Sequence, residues 1–268
     1  MTTDDPGFRT RPFPKRRRLM VDGGQRGRQK HVIHGLAELD VTRPRQLIRA
    51  HKARTGETLS FTAYVTACLG RAVDCHRDTH AYRNWRDQLV LFDEVDVNTL
   101  FEVERDGQRL ITPHIIRAAN KKTFLDIHRE IRDFQARHAA SAEASFIDWF
   151  VELPGFVRRL GLWWLFKNPE LVKRYFGTVS LTAVGMFATG GFWGLPVPNH
   201  TLQVTLGGIA EKPGVVAGQI QIREYLSVTI SLDHDVVDGA PAARFAQRLK
   251  ELVEDGAELA DVSASRET

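Results

Sequence analysis

Apolar residues recur along the chain with two spacings, one typical of helices and one typical of strands. Within KKTFLDIHREIRDFQARH, one helical face collects Phe124, Ile127, Ile131 and Phe134. The segment TLSFTAYVTACLGRAVDCH has a second, more apolar helical pattern, with Ser60 as its predicted N-cap. Both patterns predict helices that pack one face against a core.

Three other segments are also predicted to be helical. TRPRQLIRAHKARTG predicts a helix with Thr42 as N-cap and Gly56 just behind its last turn. We expect the other two helices over Lys15 to Gln29 and over residues 239–254.

Alternating and extended stretches lie between these helices. VDVNTLFEV alternates apolar and polar residues, RDGQR is a turn signal, and LITPHII is again extended. Further strands are predicted for HVIHGLAELDV and for residues 178–183, 201–210 and 219–232. Because helices and strands are interleaved with long antiparallel stretches, the sequence predicts one α/β domain with a mixed sheet.

Composition narrows the class of protein. A 43% hydrophobic share and a 26% charged share are typical of a soluble globular chain. Cys68 and Cys75 lie in one predicted helix, which suits a reducing cytosol and gives neither a disulfide framework nor a metal site. The N-terminus lacks the apolar core of a signal peptide, and no run reaches the roughly 20 apolar residues of a membrane span. We therefore expect a cytoplasmic location and no transmembrane segment.

Charge is unevenly distributed. Residues 9–30 contain nine arginines and lysines against Asp22 alone. Such a block suits nucleic acid, an acidic partner domain or a phosphorylated cofactor, and it is equally consistent with a solvated helix face. No nucleic-acid-binding motif accompanies it, so we expect no nucleic-acid partner.

Three regions are predicted: a flexible arm over residues 1–14, a domain over 15–258 and a polar tail over 259–268. Inside the domain, residues 145–176 form a Trp-rich insert in which Trp163 and Trp164 are interleaved with cations. We expect this insert to be helical and to shape access to a channel, or to contact a membrane surface or a partner. The alternative is a pair of helices that bury their aromatic residues in the protein's own core.

Candidate chemistry lies where the last strand meets the last helix, at His234 and Asp238. Imidazole has its unperturbed pKa near neutrality, so His234 is a candidate proton acceptor for a thiol or hydroxyl nucleophile. Gly239 leaves room for a ligand, and Asp238 can cap the helix or pair with a cation. The alternative is a capping aspartate next to an incidental histidine.

Four segments form a series. In chain order they are HVIHGLAELDV, LITPHIIRAANKKTFLDIHREI, GTVSLTAVGMFATGGF and DHDVVDGAPAARFAQRLKELVED. The last resembles D-H-R-x-x-D-G-A-x-x-A-x-F, and the third resembles G-T-F-T-[IL]-S-N-L-G-M-F. These are motifs of the 2-oxoacid dehydrogenase acyltransferase catalytic domains, and all four segments stand in that family's order. The resemblance covers about residues 15–255.

The resemblance implies the chloramphenicol acetyltransferase-like fold, a two-layer α/β sandwich with a mixed sheet. It also implies a homotrimer with the active site at the subunit interface. His234 matches the family's general base, Asp238 its structural acid, and Thr182 the hydroxyl that donates a hydrogen bond to the oxyanion. Asp238 would then need a cation, for which the candidates are Arg16, Arg17 and Arg18.

The chain departs from the family's pattern. Asp235 replaces the arginine that usually follows the histidine. If its carboxylate lies near the His234 ring, it would raise that ring's pKa. The family's lipoyl and subunit-binding domains are missing and no lipoyl lysine is offered, so a lipoyl group would come from another chain.

These observations lead to one main hypothesis and three alternatives. We expect an acyltransferase that moves an acyl group between coenzyme A and a thiol acceptor, with coenzyme A or acyl-CoA as substrate and no metal. Its partner would be a lipoyl-domain protein acting in trans. The alternatives are a stand-alone acyltransferase for a small alcohol or amine, a catalytically silent scaffold, and a membrane-surface or partner-docking protein. The sequence does not assign the coenzyme-binding residues.

Overall fold

The strand patterns of the sequence come together mainly in one large sheet. The computed structural model describes residues 9–15, 17–105, 108–140, 150–185 and 189–264. Its strands are β1 (Val32–Asp40), β2 (Tyr82–Arg83), β3 (Leu89–Val90), β4 (Val97–Arg105), β5 (Gln108–Ile116), β6 (Val179–Ala183), β7 (Leu202–Val216) and β8 (Gln219–Asp233).

Six of these strands form the main sheet, in the order β1-β8-β7-β6-β4-β5. β6 runs parallel to both of its neighbours, β7 and β4. The other neighbouring pairs are antiparallel. The predicted mixed sheet is therefore confirmed, and β2 and β3 pair separately as a small hairpin.

Helices account for the remaining regular structure. They are α1 (Arg17–Gly27), α2 (Thr42–Thr55), α3 (Phe61–Cys75), α4 (Phe124–Ala140), α5 (Gly155–Phe166), α6 (Pro169–Phe176), α7 (Gly239–Asp255) and α8 (Ala257–Ala264), with short 3-10 turns at Arg77–His80 and Ala119–Lys121. Among the described helices, none is both long enough and apolar enough to cross a membrane.

The two faces of the main sheet differ in chemistry. Along β8, Val228, Ile230 and Leu232 face the main core, where they pack with the buried faces of α3, α4 and α7. The alternate residues, among them Thr229 and Ser231, are polar and lie on the opposite face. The fold is therefore a helix layer packed on one face of a sheet whose other face is rich in hydroxyl groups.

The segment between β6 and β7 crosses this polar face. A Cβ atom on Gly194 would lie 3.1 Å from the side chain of Thr205, and one on Gly207 would lie 2.0 Å from the carbonyl oxygen of Phe192. Only a residue without a side chain permits so close a backbone approach. Gly207 therefore lets this segment pack directly on β7.

One of the two predicted helix caps is correct. The hydroxyl of Ser60 accepts a hydrogen bond from the amide of Ala63, 3.2 Å away, as expected for an N-cap. The prediction for Thr42 is wrong, because Val41 occupies the N-cap position of α2. The hydroxyl of Thr42 instead accepts the amide of Glu224 at 2.8 Å, which ties the helix to β8.

The chain end differs from the predicted polar tail. Residue 258 is not a boundary, because α8 continues through it and Leu259 is buried in the main core. Glu258 forms an ion pair with Arg71 of α3. The packed domain therefore extends into the segment that we expected to be a tail.

The described part of the insert folds into α5 and α6 and has a small core of its own. Phe166 and Val172 are buried there together with Tyr82 and Phe92 of the neighbouring hairpin. The rings of Phe166 and Phe176 stack with centroids 5.3 Å apart. The alternative that the insert buries its aromatic residues in the protein's own core therefore holds for one face of α5. On the other face, Trp163 and Trp164 are exposed.

Candidate functional site

His234 lies on a tight turn between β8 and α7. The amides of Val236 and Val237 both donate to the carbonyl oxygen of Asp233, each at 3.0 Å. The amide of His234 donates to the carbonyl oxygen of His31, 2.8 Å away, at the start of β1. The imidazole itself is exposed. The turn therefore holds the backbone of His234 firmly while its ring stays open to a substrate.

A buried ion pair stabilises this turn from behind. The carboxylate of Asp233 is almost fully buried and pairs with the ammonium of Lys30. The amide of Asp235 also donates to Asp233, at 3.3 Å. Lys30 and Asp233 were not among the predicted site residues, although an aspartate directly before His234 is visible in the sequence.

Asp235 pairs with a different histidine from the one considered in the sequence. Its carboxylate lies 2.8 Å from Nδ1 of His31. This hydrogen bond raises the pKa of His31 and lowers that of Asp235. In the structure, the partner of the Asp235 carboxylate is therefore His31, across the strand pair.

We expect Asp235→Asn to lower the pKa of His31 towards that of a free histidine. Because the folded-state pKa of His31 is raised, the pair is complete at low pH and is lost as the pH rises through that pKa. A titration of the His31 ring protons by NMR would measure the shift. Asp238→Asn is the control and should leave it in place, and an unchanged value in Asp235→Asn would contradict the pairing.

Asp238 occupies the N-cap position of α7 without using its side chain as a cap. Its carbonyl oxygen accepts the amide of Ala242 at 3.1 Å, and its carboxylate is exposed. Within the described part of the protomer, neither Arg17 nor Arg18 pairs with it, and Arg16 lies outside the described residues. Among the residues that the structure describes, none of the predicted cations therefore pairs with Asp238.

Thr182 lies on β6, on the polar face of the sheet. Its hydroxyl is 3.1 Å from the hydroxyl of Thr205 on β7. Both line an open cavity of about 300 Å³, whose other lining side chains include Leu100, Ala183, Val184, Leu195, Pro196, Glu102 and Gln203. The polar residues of LQVTL, at alternate positions of β7, were the signal in the sequence that could have identified the cavity wall.

The structure does not bring His234 and Thr182 together in one protomer. Thr182 pairs with Thr205, and Thr205 pairs with Thr229 on β8. His234 lies five residues beyond Thr229 in the sequence. From the usual rise per residue and spacing between strands, the two residues lie about 16 Å apart along the strands and about 10 Å apart across them.

The described residues offer no metal centre, since they contain no group of three His, Cys, Asp or Glu side chains placed to hold an ion. The candidate residues of the site offer an imidazole, a hydroxyl and a carboxylate.

Part of the chain matches a known protein family. Residues 173–260 match the family described as 2-oxoacid dehydrogenases acyltransferase (catalytic domain). The matched segment includes all three candidate residues, Thr182, His234 and Asp238.

Two curated relatives illustrate the similarity. The chain is 27% identical over 205 residues to the mitochondrial dihydrolipoyllysine-residue succinyltransferase component of the 2-oxoglutarate dehydrogenase complex of Saccharomyces cerevisiae, covering 75% of this chain and 37% of the relative. It is 39% identical over 84 residues to the lipoamide acyltransferase component of the branched-chain alpha-keto acid dehydrogenase complex of Pseudomonas aeruginosa, covering 31% of this chain and 19% of the relative. The match to this chain thus covers 37% of the first relative's length and 19% of the second's.

Solved structures show the same fold. A probable dihydrolipoamide acetyltransferase from Listeria monocytogenes superimposes with a TM-score of 0.71 at 18% identity, over 93% of this chain and 96% of that one. The dihydrolipoamide acetyltransferase of Azotobacter vinelandii gives 0.70 at 18% identity, over 97% and 98%. A chloramphenicol acetyltransferase gives 0.50 at 14% identity, over 87% and 94%.

The mixed sheet with its helix layer therefore has the chloramphenicol acetyltransferase-like fold. Within that fold, residues 173–260 match the catalytic-domain family of the 2-oxoacid dehydrogenase acyltransferases, and the chain is similar to curated members of that group. The resemblance predicted from the sequence is confirmed.

Proposed function

We propose that this protein is an acyltransferase that moves an acyl group between coenzyme A and a thiol acceptor. The observation that carries the proposal is the similarity of the chain to a dihydrolipoyllysine acyltransferase. The chain also has an exposed histidine on a hydrogen-bonded turn and a hydroxyl in an open cavity of the same sheet. The structure of the Azotobacter enzyme was solved to investigate the catalytic role of a serine, a histidine and an asparagine four positions after it. Thr182 and His234 have the corresponding chemistry and spacing, and Asp238 has the spacing of the asparagine but a carboxylate in place of its amide.

Each residue has a defined part in the proposed reaction. His234 takes the proton from the acceptor thiol, and the resulting thiolate attacks the thioester carbonyl carbon of the acyl-CoA. The hydroxyl of Thr182 donates a hydrogen bond to the oxyanion that forms, while Thr205 holds that hydroxyl in place. When the intermediate collapses, the coenzyme A thiolate leaves and takes back the proton from His234.

The separation of His234 and Thr182 within one protomer supports a site shared between subunits. A general base and an oxyanion donor must both lie within about 3 Å of the reacting group, which two residues so far apart cannot satisfy. We therefore place His234 of one protomer against Thr182 of the next, in a homotrimer. The exposed apolar residues Val215, Ile220 and Ile222 near the end of the β7–β8 hairpin suit a subunit contact.

The cavity at Thr182 favours an acyl group with an apolar chain. Most of its described lining is apolar, with Leu100, Val184, Leu195 and Pro196 among its side chains. A dicarboxylic acyl group such as succinyl would have to lose the hydration of its free carboxylate against these side chains. We therefore expect acetyl-CoA or a branched-chain acyl-CoA to be a better donor than succinyl-CoA.

The acceptor is proposed to be a lipoyl thiol. The curated relatives are named as lipoamide or dihydrolipoyllysine acyltransferase components of dehydrogenase complexes. Free dihydrolipoamide can replace the carrier in a first assay. A small alcohol or amine is the alternative acceptor, and a scaffold without activity would transfer nothing.

Transfer of acetyl from acetyl-CoA to dihydrolipoamide, followed by mass spectrometry of the thioester, tests the proposal. We expect Thr182→Val to lower kcat about 10²–10³-fold with little change in KM, because an oxyanion donor acts mainly in the transition state. Thr182→Ser keeps the hydroxyl and is the matched control, with most of the activity retained. Equal losses in the two variants would show that the hydroxyl is not the donor, and no transfer to any thiol by the wild type would overturn the function.

A further inference from the structure

The outer face of α5 is an exposed apolar surface on an otherwise anchored helix. Phe156, Leu160, Trp163 and Trp164 have spacings that place them on one helical face, and they are 69%, 64%, 51% and 57% exposed. Side chains this large are seldom exposed together on a soluble surface without a partner. We call these four residues the aromatic face of α5.

The opposite side of α5 fixes this face in position. Arg158 is buried and its Nε lies 2.8 Å from Oδ2 of Asp22 on α1. Phe166 is buried in the small core with Tyr82. The helix therefore cannot rotate to bury the aromatic face without losing an ion pair and a packed ring.

The charged residues of α5 itself are positive. The sequence of α5 contains no aspartate or glutamate, and Arg159 is exposed at the edge of the aromatic face. Lys167 follows directly at the end of the helix. A partner with a negatively charged surface and an apolar layer beneath it would satisfy both features.

We propose that the aromatic face of α5 docks on the surface of an anionic membrane. Tryptophan is favoured at the boundary between headgroups and acyl chains, and Arg159 and Lys167 can contact lipid phosphates. α5 has 12 residues and is therefore about 18 Å long, too short to span the apolar layer of a bilayer, so it lies in the plane of the interface. A contact with a second copy of the chain is the competing explanation, and it is an outcome of the test below.

Vesicle binding by the full chain tests this proposal without any transferase assay. We expect sedimentation with phosphatidylcholine vesicles that contain phosphatidylglycerol, weaker binding as salt rises, and little binding to phosphatidylcholine alone. Brominated lipid should quench the tryptophan fluorescence of the bound wild type. The proposal would be overturned if brominated lipid did not quench the tryptophan fluorescence. Equal binding to neutral and anionic vesicles would also overturn it.

Matched variants locate the contact. The double variant Trp163→Ser with Trp164→Ser should weaken binding at least about tenfold, since it removes two large apolar groups from the interface. Trp85→Ser is the control, because Trp85 is 62% exposed and stacks with Arg86 at 4.6 Å but lies on the β2–β3 hairpin. Equal losses in both would contradict docking through α5. If the double variant changed only the oligomeric state, the face would be a contact between copies.

Discussion

We expect His234→Ala to lower kcat by about 10²–10⁴-fold while the assembly stays intact, because a general base contributes a factor of this size. Folding should be unaffected, since the ring is exposed and the turn is held by backbone hydrogen bonds to Asp233 and His31. Steady-state transfer from acetyl-CoA to dihydrolipoamide, with light scattering on the same sample, measures both. Full activity in His234→Ala would show that His234 is not the general base and that the motif only forms a turn and the start of a helix.

Mixed assemblies give this prediction a sharper form. If each site joins His234 of one protomer to Thr182 of its neighbour, co-expressing His234→Ala with Thr182→Val chains forms some intact sites. Random assembly of equal amounts should restore about a quarter of the wild-type sites. A site within one protomer would gain nothing from mixing, because every protomer then lacks one group. Co-expression of His234→Ala with Thr182→Ser chains, which keep the hydroxyl, is a suitable control for expression level.

Local patterns in the sequence were sufficient for most elements. The face formed by Phe124, Ile127, Ile131 and Phe134 is buried in the core, as its spacing predicts. Thr42 shows the limit of such reasoning. Its hydroxyl meets the amide of Glu224, a residue 182 positions away in the chain, and no nearby residue signals that competitor.

The candidate site shows the same division. His234 and Asp238 are visible in the sequence because they lie in one short motif at a strand end. The partner of Asp235 is His31, which is 204 positions away and comes near only because β1 pairs with β8 in the observed register. The nearby Lys30 ion pair was missed for the same reason. Residues that hold a site in place depend on sheet register, which the sequence does not state.

The insert shows a different limit. The sequence GFVRRLGLWWLF is apolar around most of the helix, so periodicity does not decide which side is buried. The structure buries Phe166 and exposes Trp163, and the choice depends on Asp22 of α1, which draws Arg158 inward. The buried charge pair and the packed ring of Phe166 thus hold the helix in this orientation.

This pair leads to the largest expected effect on stability. Arg158 and Asp22 are only 8% and 6% exposed, and Arg158 also donates to the carbonyl oxygens of Leu153 and Val151, at 2.7 and 3.3 Å. We expect Arg158→Met to lower the free energy of unfolding by about 3–5 kcal/mol, because it leaves the Asp22 carboxylate buried without its partner. Urea denaturation followed by circular dichroism would measure the change.

Two further variants decide whether the cause is the unpaired charge. The double variant Asp22→Leu with Arg158→Met should be less destabilised than Arg158→Met alone, because it leaves no charge buried at this position. Lys15→Ala is the matched control. Lys15, just before α1, also forms an ion pair with Glu152 of the insert, but both side chains are exposed. The loss in the free energy of unfolding should therefore stay below about 1 kcal/mol. A cost below about 1 kcal/mol for Arg158→Met would mean that the insert is not held by this pair. In that case α5 would be free to turn, and the aromatic face would need another explanation for its exposure.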